Sequence, residues 1–317
     1  MTDLVARAPR AGIAIGSGAL AATIVGGSVP VVGLLDAYPM LSGQAIRYLL
    51  GGLLLVAWAG VGRRRLPRPG ARDLLSLLGL AATGMLGFNA CLLYAQRYAE
   101  PGFVAAVLGG TPLVLALLAP LLAGRPALLT MVGALAVVAG IVVLSGGGSW
   151  HGPGLLLALL TLACEASFTL LAIGVVARLG AFAVSTWCCL LAAALGSVLA
   201  TAIDGAAAWQ LPTAREAAAL LLLAALTTAL GFCLWYRAVS DLGADRAGVL
   251  IGLMPVSGLA VSIALGAQPL TLVSCAGIVL VTAGCVLGLH RHRPTLSTPT
   301  SPIHTPPKVD LPTAIPG

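Results

Sequence analysis

Long apolar runs, separated by short breaks of proline, glycine or charged residues, make up almost the whole chain. Ten runs can be distinguished, each close to the roughly 20 residues that an α-helix needs to cross a bilayer. Their approximate bounds are 11–29, 37–60, 74–96, 102–123, 127–145, 153–175, 182–203, 216–237, 246–266 and 271–289. The pattern predicts ten transmembrane helices.

The composition supports this interpretation and excludes a soluble domain. Hydrophobic residues make up 59% of the chain and charged residues only 9%, with a mean hydropathy of +1.04. Soluble domains carry about 25% charged residues, so this chain lacks the polar surface to stay in water. A β-barrel would show short strands of alternating polarity, which are absent here. We therefore predict an all-α polytopic membrane protein.

The charged residues predict the orientation. The net charge is +7, and of the 17 Lys and Arg only Arg97 and Arg215 fall in outer loops, while Arg47 falls inside a span. This is the positive-inside distribution rather than a nucleic-acid-binding surface. We expect a cell-membrane protein whose termini, a tail at 1–10 and a disordered Pro-, Ser- and Thr-rich tail at 290–317, are both cytoplasmic.

An internal repeat links the two halves of the chain. The paired residues lie at the same place in each half, offset by 143 or 144 positions. They are Leu86-Gly87-Phe88 with Leu230-Gly231-Phe232, Pro112 with Pro255, Pro126 with Pro269, Gly133 with Gly277, and Gly140 with Gly284. Five spans per half is an odd number, so the second half enters the membrane from the opposite face. The sequence thus predicts an inverted repeat of 11–146 and 152–289, an architecture of secondary transporters. The repeat also requires the first span, which argues against a cleaved signal peptide.

Pro112 and Pro255 lie in the middle of spans four and nine. Each removes a backbone hydrogen bond and is expected to kink its helix, which would suit a hinge. The alternative is a packing role alone, because proline is common in membrane helices.

The two five-helix halves, Arg47 in span two, and the Gly87-Phe88 to Pro112 stretch resemble the drug/metabolite transporter superfamily with two EamA-type domains. The resemblance covers residues 11–289. It implies export or exchange of small metabolites such as amino acids, or of drugs. The chain departs from the family after spans four and nine, where Arg125 and Gln268 stand in regions that often carry a glutamate.

Glu165 is the one carboxylate well inside a span. A charge at the bilayer centre costs roughly 2.5 kcal/mol or more, so such residues usually face a cavity or a partner. Its helical neighbours Ala158, Thr161, Thr169 and Ala172 form a small, weakly polar stripe typical of a face turned towards other helices. A carboxyl group that gains and loses a proton here could couple a proton gradient to transport. The alternative is a protonated Glu that serves only as an interhelical hydrogen bond.

Arg47 is the second charge within the membrane, flanked by Gln44, Gly43 and Gly51. Counting about 1.5 Å per residue, Arg47 lies about 15 Å and Glu165 about 18 Å from the outer ends of their spans, near the midplane. We expect them to share one interior space, as an ion pair or as opposite walls of an aqueous site. A static pair that only fixes the packing is the alternative.

Three further residues are weaker candidates for lining a substrate cavity. Asn89 lies in span three, and Trp235 and Tyr236 lie towards the cytoplasmic end of span eight. Aromatic side chains with a polar tip suit organic substrates. Interfacial anchoring is the alternative for Trp235 and Tyr236.

Rival functions lack their required residues. The only lysine, Lys308, is followed by Val309, so there is no phosphate loop for ATP. All four histidines lie outside the spans and no CxxC is present, so neither an intramembrane enzyme nor a metal or other cofactor is expected. A passive channel stays open as an alternative. The expected partners are a small-molecule substrate, the lipid bilayer and a second copy of the chain, through GIAIG (12–16) or GVLIG (248–252), if these small-residue motifs do not pack internally.

Overall fold

The computed structural model describes residues 2–35, 37–123, 128–146, 149–264, 266 and 269–289. Across these residues the backbone is almost entirely helical, with a single β-bridge between Ala99 and Trp150 and no longer strand. Eight helices in this part of the chain are long and apolar enough to cross a membrane, and two shorter apolar helices cover the remaining predicted spans. The prediction of an all-α polytopic membrane protein is confirmed.

We number the crossing helices α1 to α10 in chain order. They are α1 Thr2–Gly27, α2 Met40–Val61, α3 Ala71–Ala95, α4 in two pieces (Pro101–Leu108 and Thr111–Ala123), α5 Leu128–Ser145, α6 Gly154–Leu179, α7 Ala181–Asp204, α8 Ala214–Leu242, α9 in two pieces (Ala244–Val249 and Leu253–Ala264) and α10 Leu272–Leu289. Most ends lie within a few residues of the predicted ones.

The largest difference is at the start of α1, which begins at Thr2 and not at residue 11. Residues 2–10 are rich in Leu, Val, Ala and Arg, and extending an existing helix avoids the cost of nucleation. The predicted tail at 1–10 is therefore helical from Thr2 onwards. The predicted tail at 290–317 lies outside the described residues.

The repeat extends to irregular features of the backbone. Helices α3 and α8 each contain a π-helical segment, at Leu80–Gly87 and Leu223–Leu230, which are again offset by 143 residues. Helices α4 and α9 are each interrupted, α9 by a 3-10 turn at Leu250–Gly252. Because π-helical turns and broken helices are uncommon, their recurrence at one offset is strong evidence for two copies of one scaffold.

The prediction that Pro112 and Pro255 kink continuous helices is wrong in detail. Each helix is broken just before its proline, which then lies in the first turn of the following piece. A proline ring clashes with the carbonyl group four residues earlier, which is that of Leu108 for Pro112. The chain leaves the helix at Gly109 and Gly110, and in the first turn of the new piece the missing N–H costs nothing.

The two halves are interlocked. The first helix of each half packs on the third and fourth helices of the other half, so α1 contacts α8 and α9, and α6 contacts α3 and α4. The remaining major contacts, α2 with α7 and α5 with α10, also join the halves. The core therefore lies between the repeats.

Glycines form the contact between α5 and α10. A Cβ atom at Gly284 would lie 2.7 Å from the carbonyl oxygen of Gly133, and one at Gly140 would lie 2.9 Å from that of Gly277. Gly133 thus contacts Gly284, which is the repeat counterpart of Gly140. Likewise, Gly140 contacts Gly277, which is the repeat counterpart of Gly133. Such reciprocal contact is what a two-fold axis produces, and the absence of side chains lets the backbones approach closely.

The two small-residue motifs behave differently. Gly248 and Gly252 pack inside the chain, against Leu115 and Val137 respectively. Gly12 and Gly16 are exposed and have no atom of another segment near the place of a Cβ. The GIAIG face of α1 is therefore unoccupied by the described residues, and a homodimer through it stays a prediction.

We expect Gly284→Leu to destabilise the protein strongly, because its side chain would be driven into the backbone of α5. Overpacking of a core typically costs about 1–3 kcal/mol, and backbone atoms can yield less than side chains. Thermal unfolding in detergent measures this as a lower Tm than that of the wild type. Gly12→Leu, at an open position of α1, is the matched control, and equal Tm values for the two variants would contradict the glycine seam.

Candidate functional site

Glu165 lies in the middle of α6 and points into the protein. The four residues that share its face are all buried, as predicted: Ala158, Thr161, Thr169 and Ala172. The opposite face carries exposed leucines at 156, 159 and 160, as expected for contact with lipid. Glu165 itself is partly exposed as a residue, although its helical face is buried.

The neighbour of Glu165 is the break in α4. The Oγ1 atom of Thr111, the first residue of the second piece of α4, lies 3.2 Å from Oε2 of Glu165. The same hydroxyl donates to the carbonyl oxygen of Leu108 at 2.7 Å. Thr111 therefore satisfies the carbonyl that Pro112 leaves without a helical partner, and it does so beside the acid. The start of this helical piece also carries partial positive charge, which favours a nearby anion.

Arg47 links α2 to the π-helical segment of α8. Its Nε donates to Oγ1 of Thr228 at 2.9 Å, and its Nη2 donates to Oγ1 of Thr227 at 2.9 Å. A weaker bond runs from Nη1 to Oε1 of Gln44, at 3.4 Å. Gly51, one turn away, allows the approach, because a Cβ there would lie 2.8 Å from the methyl group of Thr228.

Arg47 and Glu165 do not form an ion pair. The partners of Arg47 are on α8 and α2, whereas the partner of Glu165 is on α4. Ion pairs that the described residues do form include Asp73 with Arg178 and Arg237 with Asp241. The hypothesis of a salt-bridged pair, static or functional, therefore does not hold in this conformation. The alternative, opposite walls of one site, stays a prediction.

Asn89 extends the polar contacts from α2 to α3. Its Nδ2 donates to the hydroxyl of Tyr48 at 3.1 Å and to the carbonyl oxygen of Met85 at 2.6 Å. The Tyr48 ring lies 5.5 Å from Cζ of Arg47. Polar groups thus run from α8 through Arg47 and Tyr48 to α3, which packs on the helix of Glu165. Sequence reasoning missed Tyr48, although its position next to Arg47 and its polar-tipped ring were available signals.

Trp235 and Tyr236 are buried, at 7% and 0% exposure, so they do not lie among lipid headgroups as interfacial anchors do. The indole Nε1 of Trp235 donates to Oγ1 of Thr169, one turn from Glu165, at 3.3 Å. The Tyr236 ring packs at 5.2 Å from that of Phe168. Thr161, the remaining predicted site residue, donates to its own helix at Leu157.

Comparison with known proteins identifies the family. The model of the EamA-like transporter family matches residues 12–146 and again residues 152–289. The chain belongs to the EamA-like transporter family. The EamA chain is 28% identical over 276 residues to the uncharacterized transporter YetK of Bacillus subtilis (strain 168), covering 84% of this chain and 83% of that protein. A protein of known crystal structure shares its fold, with a TM-score of 0.74 and 23% identity over 86% of this chain and 95% of that one.

We expect Thr228→Val to destabilise this EamA protein, because Nε of Arg47 would lose its acceptor while staying partly buried. Removing one partner of a charged hydrogen bond costs about 1–3 kcal/mol. The lower Tm is measured by thermal unfolding in detergent. Thr282→Val is the control, because Thr282 is exposed and bonds only to its own helix. Equal Tm values for the two variants would show that the bond contributes little.

Proposed function

We propose that this EamA protein is a secondary active transporter, an exporter or exchanger of small organic metabolites or drugs that works by alternating access and is driven by protons. We place it in the cell membrane with both termini cytoplasmic. The contact between Glu165 and Thr111 at the break in α4 carries the proposal. It combines an ionisable group near the midplane with a backbone that is not locked into a continuous helix.

The hydroxyl of Thr111 supports a role for the proton. A threonine hydroxyl has one hydrogen, and the shorter bond, 2.7 Å to Leu108, uses it. The 3.2 Å contact with Glu165 is then best made by a protonated carboxyl group that donates to Thr111. Loss of that proton leaves a carboxylate facing an oxygen whose hydrogen is already engaged. The protonation state of Glu165 therefore acts directly on the break in α4.

Two contacts between the halves support alternating access. On the cytoplasmic side, Oδ1 of Asp73 at the start of α3 lies 2.6 Å from Nε of Arg178 at the end of α6. The repeat counterpart of Asp73, at an offset of 143, is Glu216 at the start of α8. We call the contact between Asp73 and Arg178 the inner latch, and the region around Glu216 at the opposite face the outer latch.

The outer latch involves the segment before α2. The Tyr38 hydroxyl donates to the carbonyl oxygen of Gln210 at 2.7 Å. Burial, and next the carboxylate of Glu216, raises the pKa of Tyr38. The inverted repeat thus provides an acidic helix start at each face, and alternating access requires that the latches open in turn.

Glu165→Gln should abolish uphill transport while leaving the protein folded. The glutamine side chain keeps an N–H donor for Thr111 but cannot release a proton. The measurement is accumulation of radiolabelled amino acids and cationic drugs in proteoliposomes with an imposed pH gradient, against Glu100→Gln, a loop carboxylate bonded to Ser149. Unchanged accumulation by Glu165→Gln would contradict proton coupling, and a wild type that only equilibrates its substrates would indicate a passive channel.

Asp73→Asn or Arg178→Gln should open the cytoplasmic side, because each removes one partner of the inner latch. Arg178 is 40% exposed, so only a small effect on stability is expected. Spin labels at the exposed positions 72 and 177 should report a longer or broader distance distribution in a cysteine-free background. The exchanged pair Asp73→Arg with Arg178→Asp should restore the wild-type distances. Identical distributions in all variants would contradict the latch.

A further inference from the structure

The charge of Arg47 is not neutralised by any of the described residues. Its three hydrogen-bond acceptors, on Thr227, Thr228 and Gln44, are all neutral. Neutral acceptors replace part of the lost hydration but leave the full positive charge near the centre of the membrane. A single uncompensated cation there is costly, and such residues commonly mark a substrate or ion pathway.

The hydrogen bonds of Arg47 also leave two of its N–H groups without an acceptor among the described residues. A guanidinium has five N–H groups, and here one each on Nε, Nη1 and Nη2 is engaged. The two that remain are one on Nη1 and one on Nη2. Arg47 as a residue is partly exposed, as Glu165 is. The two threonines and Gln44 hold the plane of the group fixed, and a fixed fork of two N–H donors matches the two oxygens of a carboxylate.

The other half of the repeat has no charge at the position of Arg47. The repeat counterpart of Arg47 is Leu190 on α7, which packs against Gly52 of α2. The same position in the other half is thus filled by an apolar side chain at the α2–α7 contact. The charge of Arg47 is therefore a feature of the first half alone.

We propose that Arg47 binds a carboxylate group of the transported substrate through Nη1 and Nη2, so that the substrates of this protein are organic acids, including zwitterions. This inference rests on the proposed transport function. Thr227, Thr228 and Gln44 orient the guanidinium, and Glu165 is a separate group that carries the proton. A fork of two N–H donors can also bind a phosphate, so inorganic phosphate is tested beside the acids.

The test is direct binding to the purified full-length protein in nanodiscs, followed by microscale thermophoresis. The probes are matched pairs that differ only at the acid: L-leucine and L-leucinamide, L-phenylalanine and L-phenylalaninamide, succinate and succinamide, with inorganic phosphate added alone. We expect at least one acid to bind and its amide to bind at least about tenfold more weakly, the usual effect of losing a charged hydrogen-bond pair.

Substitutions assign the binding to Arg47. Arg47→Gln should weaken acid binding by at least about tenfold, and Arg47→Lys, which keeps the charge but not the fork, by a smaller factor. Arg97→Gln, in an outer loop where Arg97 lies over Tyr94, should bind like the wild type. If Arg47→Gln does not give a monodisperse protein, Arg47→Lys alone carries the test. Amides that bind as well as acids, phosphate as the only ligand, no binding of any acid, or an Arg47 variant with unchanged Kd would overturn the proposal.

Failure of transport and failure of this inference give different results. Glu165→Gln should still bind the acid, because the carboxylate site does not include Glu165. Acid binding that depends on Arg47 in a protein without uphill transport would leave the inference standing and count against the transport mechanism alone.

Discussion

The hydrocarbon core of a bilayer offers no hydrogen-bond partners, so polar groups within it must be paired by the protein. Three threonine hydroxyls of this protein do so. The hydroxyl of Thr111 donates to the carbonyl oxygen of Leu108, which Pro112 leaves without a helical partner. The hydroxyls of Thr227 and Thr228 accept hydrogen bonds from the guanidinium of Arg47. In each case a short hydroxyl side chain forms a hydrogen bond with a polar group that would otherwise have no partner within the membrane. The contacts of Arg47 also join α2 to α8.

The repeat distinguishes features that both halves share from features that only one half has. Features present in both halves concern backbone geometry: the π-helical segments, the broken helices and the glycine seam between α5 and α10. Features present once are chemical, because Glu165 and Arg47 have Ala22 and Leu190 as counterparts. The two copies share one backbone, and the unshared charges make the interior asymmetric.

Much of this arrangement could be predicted from the sequence, because lipid imposes simple rules. Apolar runs gave the spans, offset pairs gave the repeat, and the small neighbours of Glu165 gave its inward face. The partners of the charges could not be predicted. Thr228 is 181 positions from Arg47, and Thr111 is 54 from Glu165, so only tertiary packing brings them together. The π-helical turns have no sequence signature, and the breaks in α4 and α9 were mistaken for kinks because proline alone does not show whether a helix bends or stops.

The π-helical segment of α8 has a consequence for motion. A π-turn holds one residue more than an α-turn, so converting the segment to regular α-helix would rotate the residues on one side of it by about 100° relative to the other. The two threonine hydroxyls that hold Arg47 lie in this segment. A change of register there would swing both away from the guanidinium at once, so that a local rewinding of one helix, without movement of whole domains, would free the arginine.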